Sequence, residues 1–125
     1  MAVEQEFLTH ILELFADLGT VRTGRMFGGV GLFVEDDVMF AMISSTGTVY
    51  LKSDETTLPQ FQDAGSEAFW YMRGEKRMEL QTFMTLPESA LDDPDEAIFW
   101  ANLALSPARV AAEQKRKQKA RKKKQ

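Results

Sequence analysis

Arg22-Thr-Gly-Arg-Met-Phe-Gly-Gly-Val-Gly-Leu-Phe-Val34, followed by the apolar run Val38-Met-Phe-Ala-Met-Ile43 and then by Val49-Tyr-Leu-Lys52, decides the fold of this chain. The runs are rich in β-branched, aromatic and methionine side chains and read as strands over Val21–Phe27, Val30–Val34, Val38–Ile43 and Thr48–Lys52. Loops of two to five residues join them. Such loops are too short for the crossover that parallel strands need, so the strands pair antiparallel in sequence order. Glycines at 24, 28, 29 and 31 joint the first two strands, and glycine inside a strand pattern marks a bulge or a close approach of two backbones. Gly28-Gly29-Val30-Gly31 has neither the dinucleotide-fingerprint spacing ahead of a helix nor the Gly-Lys-Ser/Thr of a P-loop. Lying between strands, it reads as a bulge that lets the sheet bend, not as a phosphate cradle.

Outward from this meander the pattern turns helical on both sides. Val3, Phe7, Leu8, Ile11, Leu12, Leu14, Phe15 and Leu18 recur at three- and four-residue steps, which predicts a helix of about four turns stopped by Gly19. Glu35-Asp36-Asp37 and Thr46-Gly47 supply turns within the meander. Asp54 is placed to cap a helix over Glu55–Ala64, with Leu58 and Phe61 facing inward and Gly65 closing it. Phe69–Met72 and Met78–Phe83 flank the charged turn Arg73-Gly-Glu-Lys76 and form a second hairpin that extends or edges the sheet. Asp92-Asp-Pro-Asp-Glu96 offers an N-cap, a proline at the first helical position and a glutamate in the first turn, so a helix begins near Pro94. Its buried face is expected from Ile98, Phe99, Ala101, Leu103 and Leu105, with Trp100 at the edge. Ser106-Pro107 should break it before a second helix over Ala108–Lys119. The predicted fold is α+β: a mainly antiparallel sheet of about five to six strands packed by N- and C-terminal helices, in the order α-β-β-β-β-α-β-β-α-α.

Charge divides the chain unevenly. Up to residue 114 there are seven basic and nineteen acidic side chains, a balance of −12, whereas Lys115, Arg116, Lys117, Lys119, Arg121, Lys122, Lys123 and Lys124 give the end of the chain +8. An acidic body repels a phosphate backbone, so any attraction to nucleic acid is expected chiefly from these eight residues. The organisation expected is one domain over residues 1–112 and a basic, flexible tail over 113–125. No cysteine is present, which removes disulfides, zinc-thiolate sites and thiol catalysis and fits a reducing compartment. No apolar run has the length of a membrane span, and the first twenty residues are acidic instead of signal-like, so the expected location is the cytoplasm.

Reactive constellations are sparse. His10 is the only histidine and lies between Thr9 and Ile11 on the first helix, where it reads as a surface or boundary residue with no metal-site companions. Asp36/Asp37 and Asp92/Asp93 have sufficient roles in a turn and at a helix start. Arg22, Arg25 and Lys52 are candidates to hold an anion on one face of the sheet. Strand alternation puts Phe69 and Tyr71 on one face and Trp70 on the other, with packing of one face into the core as the expected outcome. The strand-borne methionines read as core filler. No catalytic residue, metal ligand or cofactor is expected.

Met26-Phe-Gly-Gly-Val-Gly-Leu-Phe33, Val38-Met-Phe-Ala-Met-Ile43, Tyr50-Leu-Lys52, Ala64-Gly-Ser-Glu-Ala-Phe69 with Tyr71, and Leu86-Pro-Glu88 with Leu91-Asp92 together resemble the N-terminal domain of the TfoX/Sxy competence regulators. The resemblance spans roughly residues 5–105. It implies a small α+β domain and a non-enzymatic regulatory role in transcription activation, exercised through a protein partner such as a cyclic-AMP receptor-type activator. The full regulators carry a second, helical C-terminal domain, whereas here about twenty residues ending in lysines follow the resemblance. The motif residues it singles out, structural or binding, are Arg25, Met26, Phe27, Gly28, Gly29, Tyr50, Lys52 and Tyr71. The functional expectation is an interaction module that contacts protein through its body and attracts nucleic acid weakly and non-specifically through its tail. The alternative is a small-molecule-binding or enzymatic domain with a pocket between sheet and helices. Pairing of copies through an edge strand is a third reading, for which the sequence offers no test.

Overall fold

The computed structural model describes residues 4–26 and 28–123. Helix α1 (Gln5–Leu14) turns Ile11 and Leu14 inward, and Phe15, one residue beyond it, is fully buried. The helix is shorter than its apolar pattern predicts, because the chain tightens into a 3-10 turn over Ala16–Leu18 before Gly19 ends it. Strands β1 (Arg22–Met26), β2 (Gly29–Val34), β3 (Val38–Ile43) and β4 (Val49–Lys52) follow, then α2 (Leu58–Asp63), β5 (Ala68–Arg73), β6 (Lys76–Thr85), a 3-10 turn (Glu88–Asp92) and α3 (Pro94–Lys123). The six strands form one antiparallel sheet in the order β1-β2-β3-β4-β6-β5. The α+β architecture is the one expected. β6 returns beside β4, so β5 is left as an edge. Among the described residues no helix is long and apolar enough to cross a membrane.

The bulge lies in β3 instead of at the glycines. Leu32 pairs with Ala41 and Phe33 with Met39, so Phe40 is the extra residue between them. An inserted residue re-aims its side chain, and Phe40 points into the core, where it is fully buried and meets Phe15 edge to face at 5.3 Å. The glycines serve close approach. A Cβ on Gly29 would stand 2.0 Å from the Ile43 carbonyl oxygen. Gly24 and Gly31 face each other across β1 and β2, and the Phe33 ring lies on them, 3.0 to 3.2 Å from where their Cβ atoms would be.

One face of the sheet is roofed. Leu32, Val34, Val38, Phe40, Ile43, Val49, Leu51 and Met84 form the main core with Ile11, Leu14 and Phe15 and with α3. α3 buries alanine, not its large side chains: Ala97, Ala101, Ala104, Ala108 and Ala112 recur at four- and three-residue steps and are at most 4 % exposed. A stripe without bulk brings the helix axis close to β3 and β4. Phe99, expected inward, is 54 % exposed, Trp100 is half-buried against Phe61 at 4.9 Å, and Ile98, Leu103 and Leu105 flank the stripe half-buried.

Two further expectations are corrected. The break at Ser106-Pro107 is absent: α3 runs unbroken through Pro107, so the expected final pair of helices is one, and it passes residue 113 without interruption. An interior proline costs roughly 3 kcal/mol through its missing N–H and its clash with the preceding turn. Here the buried Ala104, Pro107 and Ala108 hold that turn to the sheet and offset the cost. α2 begins at Leu58 instead of Glu55, because the Asp54 carboxylate accepts from the N–H groups of Thr56 and Thr57 at 2.9 and 3.0 Å and closes a turn first.

Candidate functional site

Strand alternation sends Met26, Met39, Met42, Tyr50 and Phe83 to the face opposite the helices. With Phe69 they form a second apolar cluster that, among the described residues, is made only of strand residues. Met42, Tyr50 and Phe83 at its centre are 2, 9 and 5 % exposed, while Met26, Met39 and Phe69 are half-buried at its rim. Aromatic contacts extend it to the edge of the sheet. Tyr50 and Phe69 meet edge to face at 5.2 Å, and Phe69 stacks on Tyr71 at 6.3 Å.

Two cations lie on the same face. The Lys52 ammonium stands 4.4 Å from the centre of the Phe83 ring, and the Arg22 guanidinium 5.9 Å from that of Phe33. Burial, aided by repulsion from Lys115 on α3, holds the Lys52 ammonium below the ordinary lysine range. Burial also raises the Tyr50 phenol above its ordinary value, and the Glu67 charge adds to the effect. Arg25 is exposed on β1 and by alternation points away from this cluster, so the three basic residues considered together as an anion site do not converge.

A hollow of about 320 Å³ opens between Met26, Met42, Tyr50, Phe69 and Tyr71 and the Ser44–Thr46 turn. Ser44 Oγ and Thr46 Oγ1 are 2.9 Å apart and hydrogen-bonded, and Ser44 Oγ also accepts from the Thr48 N–H, so the turn presents a fixed polar rim. Three motif residues far apart in the chain, Met26, Tyr50 and Tyr71, therefore meet at one place. Lys52 lies two residues along β4 from Tyr50. Gly28 and Gly29 shape the β1–β2 turn, Gly28 with φ 75°. Phe27 lies outside the described residues. A larger recess of about 530 Å³ beneath the β5–β6 hairpin is polar, and its Arg77 lies over Trp70 at 4.5 Å and pairs with Glu79 at 3.3 Å.

The expectation that one face of this strand packs into the core holds at Phe69, which is partly covered by the second cluster, and fails at Tyr71, 39 % exposed; Trp70 on the other face is 46 % exposed. The methionines divide. Met84 joins the main core, Met26, Met39 and Met42 the second cluster, and Met72 is exposed. Met39 and Met42 were not legible as residues of one face, because the bulge at Phe40 shifts the alternation between them, and Phe83 joins them because β6 lies beside β4.

Elsewhere the reactive groups are tied into the scaffold. His10 Nε2 lies 2.9 Å from the Leu91 carbonyl oxygen and joins α1 to the 3-10 turn. Among the described residues no three of His, Cys, Asp and Glu gather as metal ligands. At the end of α3, Arg116 is held by Asp37 at 2.6 Å and Lys117 by Glu113 at 3.3 Å, whereas Lys115, Lys119, Arg121 and Lys122 are exposed and have no ion-pair partner among the described residues. The Lys123 side chain and Lys124 lie outside the described residues. What the strand face offers is apolar and aromatic contact, polarisable sulfur and one half-buried cation, a surface for binding.

Residues 13–108 match the family model of the TfoX N-terminal domain. No curated protein matches the chain.

Proposed function

This chain belongs to the TfoX N-terminal domain family, and from that premise we propose that it is a non-enzymatic regulatory module of the competence-regulator kind, acting in the cytoplasm through a protein partner of the transcription machinery. The observation that carries the reading is the convergence of Met26, Tyr50 and Tyr71, with Met42 and Phe69, on a sheet face to which no helical residue contributes among the described residues. Methionine and aromatic side chains at a partly open surface suit contact with another protein, the first by adapting and the second by contributing large apolar area. The α3 cations add a weak, sequence-independent attraction to nucleic acid.

The test is transcript profiling of cells carrying the full chain or its Tyr71→Ser or Phe69→Ser variant. Loss of the chain's transcriptional effect with retained thermal stability is expected. Full effect from both variants would remove this face from the function. For the nucleic-acid arm, Lys119→Glu/Lys122→Glu should weaken binding and flatten its salt dependence, by roughly 0.9 in log-log slope for each phosphate no longer neutralised. A second reading, a small-molecule site, is favoured by the volume of the hollow, about 320 Å³, which lies at the lower end of the range for ligand pockets. Saturable perturbation of Tyr50 and Tyr71 by a small aromatic solute would support it.

A further inference from the structure

The two edges of the sheet differ in kind. β1 carries the exposed Arg22 and Arg25 within five residues, the sort of charge that keeps an edge from pairing. β5 carries Ala68-Phe-Trp-Tyr-Met72 without a charge, and Trp70, Tyr71 and Met72 are three of the most exposed large apolar side chains among the described residues. Charges bracket this run, Glu67 before it and Arg73 at its end. Neither has an ion-pair partner among the described residues. The Glu67 backbone is anchored, its carbonyl accepting from the Thr85 N–H at 2.9 Å and its own N–H donating to Thr85 Oγ1 at 3.0 Å.

We propose that two copies of this chain pair antiparallel through their β5 edges about a two-fold axis at Trp70. That register sets Glu67 of each copy opposite Arg73 of the other, Ala68 opposite Met72, and Phe69 opposite Tyr71. Both ends of the pair are closed by opposite charges, and the small residue meets the long one. The hydrogen-bonding pattern agrees. Arg73 pairs with Lys76 across the two-residue turn, and bonded and non-bonded pairs alternate from there as far as Phe69 and Leu80; beyond them the register shifts to Ala68 and Met84, and the Glu67 carbonyl, bonded to the Thr85 N–H, again faces β6. Trp70 and Met72 accordingly direct their N–H and C=O groups away from β6. Trp70 on the axis and the Ala68–Met72 pairs are then the positions that exchange hydrogen bonds with the second copy. Alternation keeps Phe69 and Tyr71 on the face of the second apolar cluster, so the clusters of the two copies join into one surface.

The experiment is sedimentation velocity on the full chain across micromolar to submillimolar concentration. The wild type is expected to dimerise. Glu67→Arg and Arg73→Glu, each placing like charges opposite one another twice, should weaken the dimer roughly tenfold. The combined Glu67→Arg/Arg73→Glu chain should recover it. A second arm uses the absence of cysteine from the chain. On oxidation Trp70→Cys should form a covalent dimer across the axis, while Thr23→Cys on β1 should not. A monomer at every concentration, a dimer indifferent to both single reversals, failure of the combined variant to recover, or equal crosslinking at Thr23 would each overturn the proposal.

Discussion

Arg109 on α3 grips Glu35 in the β2–β3 turn with a forked pair: its Nε lies 3.1 and 3.2 Å from the two carboxylate oxygens, and Nη2 closes on one of them. Seven residues on, two helical turns along the same side, Arg116 grips Asp37 in the same turn at 2.6 to 2.7 Å. The turn holds Glu35 and Asp36 at φ 50° and 71°, a region that favours glycine or asparagine. Carboxylates beside and within that strained turn give the long helix a second attachment.

The Arg109–Glu35 hydrogen bond lowers the Glu35 carboxyl below its usual range. A depressed carboxyl contributes stability that is present above its unfolded value and lost as pH falls through the folded one. Amide exchange over residues 109–123, taken relative to the intrinsic rate at each pH, should therefore speed up on acidification into and below the ordinary carboxylate range, and with added salt, since both pairs are exposed. Arg109→Ala/Arg116→Ala should show that faster exchange already at neutral pH while the sheet amides stay protected.

Gly29→Ala should be among the most damaging single changes in the sheet. The new methyl would collide with the Ile43 carbonyl, a backbone atom that has no rotamer to escape into. A loss of about 2–3 kcal/mol, the upper range for overpacking, is expected in urea unfolding. Gly47→Ala serves as a control for steric crowding, since nothing stands within 4 Å of its Cβ position and its φ of 88° leaves only backbone strain.

Pro107→Ala should stabilise. It restores an N–H donor for the Leu103 carbonyl and removes the ring clash, at the expense of a small void, because Pro107 is buried. A gain of about 1–2 kcal/mol by chemical denaturation is expected, less than the full proline penalty. A loss would mean that the ring's packing outweighs the helix geometry.

Lys52 should titrate below the ordinary lysine value in an NMR pH series, and Lys115→Gln should move it part of the way back, since burial is the larger cause and Lys115 the smaller. Its charged form is the disfavoured one in the folded state. Stability should thus rise as pH climbs from the folded value to the ordinary lysine value, and Lys52→Met should abolish that rise. In a Tyr71→Phe chain the remaining strand tyrosine, Tyr50, should ionise late by ultraviolet titration, with the sign reversed: stability falls as pH rises beyond the ordinary tyrosine value.

The local part of this fold was legible in the sequence, and the long-range part was not. Short loops and turn residues gave the meander and the second hairpin, because such connections leave antiparallel pairing as the only option. Glu35-Asp36-Asp37 read as a turn, yet its partners Arg109 and Arg116 stand 74 and 79 residues away, beyond any local pattern. α3 was misread for a physical reason: its sequence offers large apolar residues on one side and alanines on another, and size suggested burial where close approach to a sheet demanded smallness. Met26, Tyr50 and Tyr71 were picked out individually by family resemblance, but their meeting depends on β6 inserting beside β4, which loop lengths do not specify.

An unbroken helix from Pro94 to Lys123 is also a ruler, its thirty residues spanning about 45 Å at 1.5 Å per residue. Fastened to the sheet by alanines and to the turn by two arginines, it delivers its terminal cations at a set distance and bearing from the strand face. For an anionic partner of the kind proposed above, the charge on that helix would carry orientation as well as attraction.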